Sequence, residues 1–96
     1  MTKIIYERDS CRVTMTGHAG SAPAGADLVC AGLSSLLMVL VLSAEHGHGI
    51  AQVESGHADI RLVDSYQDLL DYVCDAFEWM AHEYPDFVSY ECRGVG

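Results

Sequence analysis

The sequence predicts an α+β fold in which one mainly antiparallel sheet packs against two helices, in the order ββαββαβ. Three observations carry that prediction. Apolar and polar residues alternate along Cys11–Thr16 and again along His57–Val63, the period of a half-buried strand. Leu28 to Ala44 contains no charged residue and reads as one long apolar helix. Leu69, Leu70, Val73, Phe77, Met80, Ala81 and Tyr84 recur at helical spacing and give a second, amphipathic helix.

Each element has its own local reason. Thr2–Arg8 reads as a strand because Ile4, Ile5 and Tyr6 favour extended backbone. Asp9-Ser10 supplies a turn. Cys11, Val13 and Met15 then share one strand face, with Arg12, Thr14 and Thr16 on the other, so the two strands pair as a hairpin. The small residues from Gly17 to Gly25 support neither strand nor helix and make a loop. The first helix is expected from Ala26 or Asp27 to about Glu45, ended by Gly47 and Gly49. With Asp27 as N-cap, Cys30 stands at N3, inside the first turn.

Ile50–Glu54 and His57–Val63 form a second hairpin across Ser55-Gly56. Ser65 is expected to cap the second helix, with Asp68 in the capping-box position. Asp71, Asp75, Glu78 and His82 take that helix's polar side, and Pro85 stops it. Phe87–Cys92 is the closing strand, followed by a frayed Gly94–Gly96. Short hairpins imply antiparallel pairing, and the sheet with its helices is one α+β layer pair.

Composition narrows the function classes. Ninety-six residues suffice for one core but not two, so 1–96 is expected to be a single domain. Five Lys and Arg against fourteen Asp and Glu give a formal charge of −9. Binding to a phosphate backbone needs clustered basic residues, so nucleic acid is excluded and a basic protein partner is favoured. The charge-free run is at the lower limit for a membrane span and holds Gly32, Ser34, Ser35 and Ser43. No Lys or Arg flanks it, so a soluble helix packed on two sides is the reading, and it is apolar enough all round to line a dimer interface.

Cys11, Cys30, Cys74 and Cys92 show no C-x-x-C spacing, and MTKIIYERDS lacks a secretory apolar segment. Reduced thiols in the cytoplasm are therefore expected. Cys11, Cys74 and Cys92 read as core filler. His46, His48 and His57 gather near one turn, but no carboxylate or cysteine completes a recognisable zinc spacing. They read as exposed loop histidines, with no metal. Phe77, Trp79 and Tyr84 read as core or partly buried residues.

Cys30 and His18 are the candidates for chemistry. Thiol catalysis needs a nucleophile and a base, and Gly17-His18-Ala19 precedes Asp27-Leu28-Val29-Cys30 across a run of small residues. A helix N-terminus carries about half a positive charge, which favours thiolate over thiol. A buried small hydrophobe is the competing reading of Cys30, and a turn residue that of His18. The free amides of the helix start are candidate oxyanion donors. Asp27 either caps the helix or orients the imidazole. Ser34, one turn after Cys30, either lines the site or packs. Gly17, Gly20 and Gly25 suit a flexible active-site loop that lets another backbone approach.

The string GHAGSAPAGADLVCAGLSSL resembles the signature of the ribosomal-processing cysteine protease family (Prp), with its GHA…D-x-x-C core. The resemblance extends over nearly the whole chain in length and element order. It implies that His18 is the catalytic histidine and Cys30 the nucleophile, with Asp27 and Ser34 at positions commonly polar in the family. Pro23 and Ala24 depart from the larger residues often found there. The resemblance also implies a homodimer, and thiol chemistry of this kind needs no cofactor. Its substrate would be the N-terminal extension of large-subunit ribosomal protein twenty-seven, a basic precursor. The rival readings are a non-catalytic ribosome-associated binding protein, a phage capsid or scaffold protease, and a small metal-binding regulator.

Overall fold

The computed structural model describes residues 1–17 and 26–94, with the backbone alone at Ala26 and Asp27. Its elements follow the expected order ββαββαβ. Strands β1 (Thr2–Glu7) and β2 (Arg12–Thr16) pair antiparallel, with Ile4 opposite Met15 and Tyr6 opposite Val13. A 3-10 turn, Arg8–Ser10, joins them and closes at Cys11, whose φ of 50° is left-handed. Cys11 thus ends the turn instead of opening the strand. Its N–H donates to the Arg8 carbonyl at 3.2 Å, and its side chain is buried as expected.

Helix α1 spans Ala26–Ser43 and continues into a wider π turn, Ala44–His48. Gly47, at φ 95°, breaks it there because only glycine takes that conformation without strain. Strands β3 (Gly49–Glu54) and β4 (His57–Leu62) then form the second hairpin. Helix α2 covers Gln67–Glu83, and β5 is Val88–Arg93.

Ser65 does not cap α2. It lies inside a 3-10 turn, Asp64–Tyr66, which Tyr66 N–H closes onto the Val63 carbonyl at 2.9 Å. Tyr66 occupies the cap position and makes no side-chain cap bond. A backbone turn has replaced the side-chain cap. The expected stop holds, with Tyr84 after the last turn and Pro85 next.

The five strands lie in the order β3-β4-β2-β1-β5. Three neighbouring pairs are antiparallel, and β1–β5 is parallel, Thr2 opposite Val88 and Tyr6 opposite Cys92. Helix α2 carries the chain from β4 past β2 and β1 to the far edge, where β5 runs parallel to β1. Both helices cover the same sheet face. Ile4, Tyr6, Val13, Ile60 and Val88 meet Leu33, Leu40, Leu70 and Phe77 there in one buried core.

Leu28–His48 is long and apolar enough to cross a membrane by length and composition, yet Val29, Leu33 and Leu40 within it are core residues. Only one side of α1 is covered, not two: Leu28, Met38, Val39 and Leu42 are exposed. Two further expectations fail. Trp79 faces outward from α2, and Cys92 is exposed on the edge strand β5. Trp79 has no layer beyond it to pack against, and Cys92 lies on the helix side near the end of an edge strand, where α2 leaves it open.

Candidate active site

Cys30 sits half-buried on α1 and lines a cleft of about 210 Å³. The cleft is built from three distant parts of the chain. Helix α1 contributes Cys30, Leu33 and Ser34 on successive turns of one face. Thr2 and Met15 come from the adjoining ends of β1 and β2, and Val53 comes from the tip of the β3–β4 hairpin. The floor is apolar, while Ser34 and Cys30 supply polar atoms at one wall.

Gly17 closes the end of β2 and lines the same cleft. Its φ is 90°, its N–H donates to the Gly56 carbonyl at 2.9 Å, and an added Cβ would collide with the Met1 carbonyl oxygen. Glycine is therefore required twice over, for backbone sign and for space. His18 is the next residue along the chain. His18, Gly20 and Gly25 lie outside the described residues, as does the Asp27 side chain.

The backbone of α1 begins two residues earlier than an Asp27 cap requires. Asp27 is the second helical residue and Cys30 the fifth. The first four amides of a helix lack intrahelical acceptors, so free donors belong to positions 26–29, while the Cys30 N–H has a partner within the helix. The expected oxyanion donors consequently lie one turn before the thiol.

Among the described residues, His57 is the histidine that lines the cleft. Strand alternation places its ring with Asp59 and Arg61 on the helix-free face, away from Cys30. His48 is not an exposed loop residue as expected: its ring stacks on Tyr66, centroids 4.2 Å apart and 18° between planes. His46 and His82 are exposed. No three His, Cys, Asp or Glu side chains converge to hold a metal among the described residues.

The remaining thiols differ from Cys30 in environment. Burial pushes the Cys74 thiol far up, and burial with the Asp64 carboxylate beside it raises Cys11. Neither is suited to act as a thiolate at neutral pH. Cys11 lies 3.8 Å from Asp64 Oδ1, and Gln67 Nε2 donates toward its sulfur.

The charge of −9 is unevenly spread. Lys3, Arg12, Arg61 and Arg93 all fall on the helix-free face of the sheet, by their registers. Arg12 is gripped there by Asp59, at 3.0 and 2.7 Å, which holds the Asp59 carboxyl below its ordinary range. Helix α2 carries five carboxylates and no Lys or Arg. The helix side is the acidic side.

Met15, Val53 and Thr2 escaped the sequence reading as site residues. Their only local signal is that of ordinary strand residues, and strand pairing alone brings them to Cys30.

The family model for cysteine protease Prp matches residues 1–89. No curated protein sequence matches the chain. Among solved structures, SMU.848 from Streptococcus mutans is 28% identical, with a TM-score of 0.74 over 95% of this chain and 90% of its own. An essential ribosomal processing protease Prp from S. aureus, in complex with a covalently linked product peptide, is 24% identical. It has a TM-score of 0.74 over 96% of this chain and 97% of its own. The same S. aureus protease in complex with a substrate peptide gives 23% identity and a TM-score of 0.69, covering 97% and 100%.

Proposed function

Because the chain belongs to the Prp cysteine protease family, we propose that it removes the N-terminal extension of large-subunit ribosomal protein twenty-seven, with Cys30 as nucleophile and His18 as base. One observation carries the residue assignment. Cys30 opens onto a cleft whose wall includes Gly17, the residue joined directly to His18. The S. aureus protein of the same fold is a ribosomal processing protease that takes a peptide, which supports a ribosomal precursor as substrate.

In this reading His18 takes the proton of the Cys30 thiol, and the sulfur attacks the scissile carbonyl carbon. The oxyanion formed is held by amides at the start of α1. His18 returns its proton to the leaving amine as the C–N bond breaks, leaving a thioester. Water, deprotonated by His18, adds to that thioester and releases the carboxylate product and the free thiol. No cofactor enters these steps. The apolar floor of Leu33, Met15 and Val53 receives an apolar side chain next to the scissile bond. Ser34 lines the wall, and Asp27 orients the imidazole.

Residues 1–96 act as one protease domain in the cytoplasm. The exposed side of α1, with Leu28 at 80% and Met38, Val39 and Leu42 beside it, is covered by a second copy of the chain in a homodimer.

The test is incubation with the ribosomal precursor, followed by mass spectrometry of the products. Cleavage is expected for the native protein and for His57→Ala, and none for Cys30→Ala or His18→Ala. Undiminished processing by Cys30→Ala would assign the chemistry to another nucleophile.

A further inference from the structure

The outward stripe of α2 carries side chains that the cleft chemistry does not use. Asp68, Tyr72, Asp75, Trp79 and His82 recur at intervals of three and four and share one solvent-facing side. Tyr72 is 75% exposed and Trp79 57%. The Trp79 ring meets Tyr84 edge-on, with centroids 6.4 Å apart. An amphipathic helix ordinarily turns only polar groups outward, whereas here three aromatic rings stand among carboxylates. Glu78, Glu83 and Asp86 lie beside them, all exposed.

The C-terminal end of the stripe lies at the same end of the fold as the cleft. Met80, next to Trp79, rests on Gly32, where an added Cβ would lie 3.1 Å from Met80 Cε. Gly32 is two residues beyond Cys30. Past the end of α2, the Phe87 carbonyl accepts a hydrogen bond from the Thr2 N–H at 2.8 Å, and Thr2 lines the cleft. The Trp79–Tyr84 end of the stripe and the Cys30 cleft therefore share one end of the fold.

We infer that this stripe is a second docking surface for the polypeptide substrate, taking a Lys/Arg-rich segment that lies outside the residues held in the cleft. The inference rests on the protease reading above. Charge complementarity selects the occupant. Carboxylates at Asp75, Glu78 and Glu83 attract cationic side chains, and the exposed faces of Trp79 and Tyr72 stack with guanidinium and ammonium groups. A second copy of this chain fits poorly, because it brings its own charge of −9, and its Arg12 is already bound by Asp59.

Trp79 is the single tryptophan, so its fluorescence reports on the stripe directly. Full-length protein carrying Cys30→Ala is titrated with a short Lys/Arg-rich peptide lacking apolar residues, and separately with an acidic peptide of equal length. The basic peptide is expected to shift Trp79 emission saturably, and the acidic one to leave it unchanged. Combining Asp75→Asn, Glu78→Gln and Glu83→Gln should weaken basic-peptide binding about tenfold, since each exposed charge contact contributes a factor of roughly two. In the otherwise native enzyme these three changes should raise KM for a precursor bearing the basic segment. Cleavage of a short peptide without that segment should be unaffected. An unchanged emission, or equal responses to both peptides, overturns the inference. So does an emission that depends on protein concentration alone, which would assign the stripe to a second copy. The titration involves no cleavage, so it decides the question even if the ribosomal precursor proves not to be a substrate.

Discussion

Arg8 grips Asp71 through two parallel hydrogen bonds, Nε to Oδ1 at 3.1 Å and Nη2 to Oδ2 at 3.0 Å, tying the β1–β2 turn to helix α2. The Tyr6 hydroxyl donates to the same Oδ1 at 2.8 Å. Arg8 first, then Tyr6, holds the Asp71 carboxyl below its ordinary range against a smaller opposing effect of burial. A carboxyl whose folded value is depressed adds stability above the unfolded value of about 3.9, and loses it as pH falls through the folded value. Asp71→Asn is therefore expected to lower stability by about 1 kcal/mol at pH 7, a modest figure because the pair is about one-third exposed. Urea unfolding at pH 7 and near pH 2 checks this. The difference between variant and native protein should shrink at the lower pH.

The four thiols should separate by access and environment. Cys11 and Cys74 are buried, with thiols raised chiefly by desolvation, whereas Cys30 is half-buried at the cleft and Cys92 is exposed. Brief treatment with a thiol-alkylating reagent at neutral pH, read by peptide mapping, is expected to label Cys30 and Cys92. Labelling of Cys74 in the folded protein at a comparable rate would contradict its burial.

Gly17→Ala should impair catalysis beyond its effect on stability. The added methyl meets the Met1 carbonyl oxygen and forces a residue at φ 90°, so the backbone leading to His18 must shift. Left-handed strain in a non-glycine residue costs on the order of 1–2 kcal/mol. With His18 as the proposed base, its displacement by even an ångström is expected to lower kcat about a hundredfold. Circular dichroism and single-turnover kinetics together separate the two effects. A folded variant with native kcat would detach Gly17 from the site.

Salt should discriminate between substrates. With the four sheet arginine and lysine side chains turned away from the helices, the helix side is acidic and would attract the basic precursor proposed as substrate. Screening shortens from ~10 Å at 0.1 M to ~3 Å at 1 M ionic strength. kcat/KM for the basic precursor is expected to fall with salt, while that of a short neutral peptide changes little. Parallel salt responses would remove charge steering and leave the chemistry at Cys30 as it stands.

The strands were legible because Val13 and Met15 alternate with Thr14 and Thr16, and because Ser55-Gly56 and Pro85 mark boundaries chemically. Caps were less so. Whether Ser65 or a backbone turn satisfies the first amides of α2 depends on Val63 and Tyr66, whose local sequence carries no signal of it. The parallel β1–β5 pair was unreadable for a related reason, since pairing between Thr2 and Val88 leaves no trace in either segment alone. Trp79 misled because aromatic residues are usually buried, and only the tertiary arrangement shows that no layer covers it. At the site, Cys30 and Ser34 were legible from helical spacing. Thr2, Met15 and Val53 reach the cleft only through sheet assembly.

That assembly has a temporal consequence. Thr2 forms part of the cleft wall, yet its N–H is bonded to the Phe87 carbonyl and its strand is flanked by β5. A chain emerging from a ribosome presents β1, Cys30 and α1 well before β5 exists, and contacts of such high sequence separation form late. Cys30 is synthesised early but its cleft is finished last. A nascent chain stalled before Val88 is therefore expected to expose Cys30 without cleaving substrate, so the protease remains silent while it is still being made. Stalled ribosome complexes of graded length, assayed for thiol labelling and for cleavage, would show the two properties appearing at different lengths.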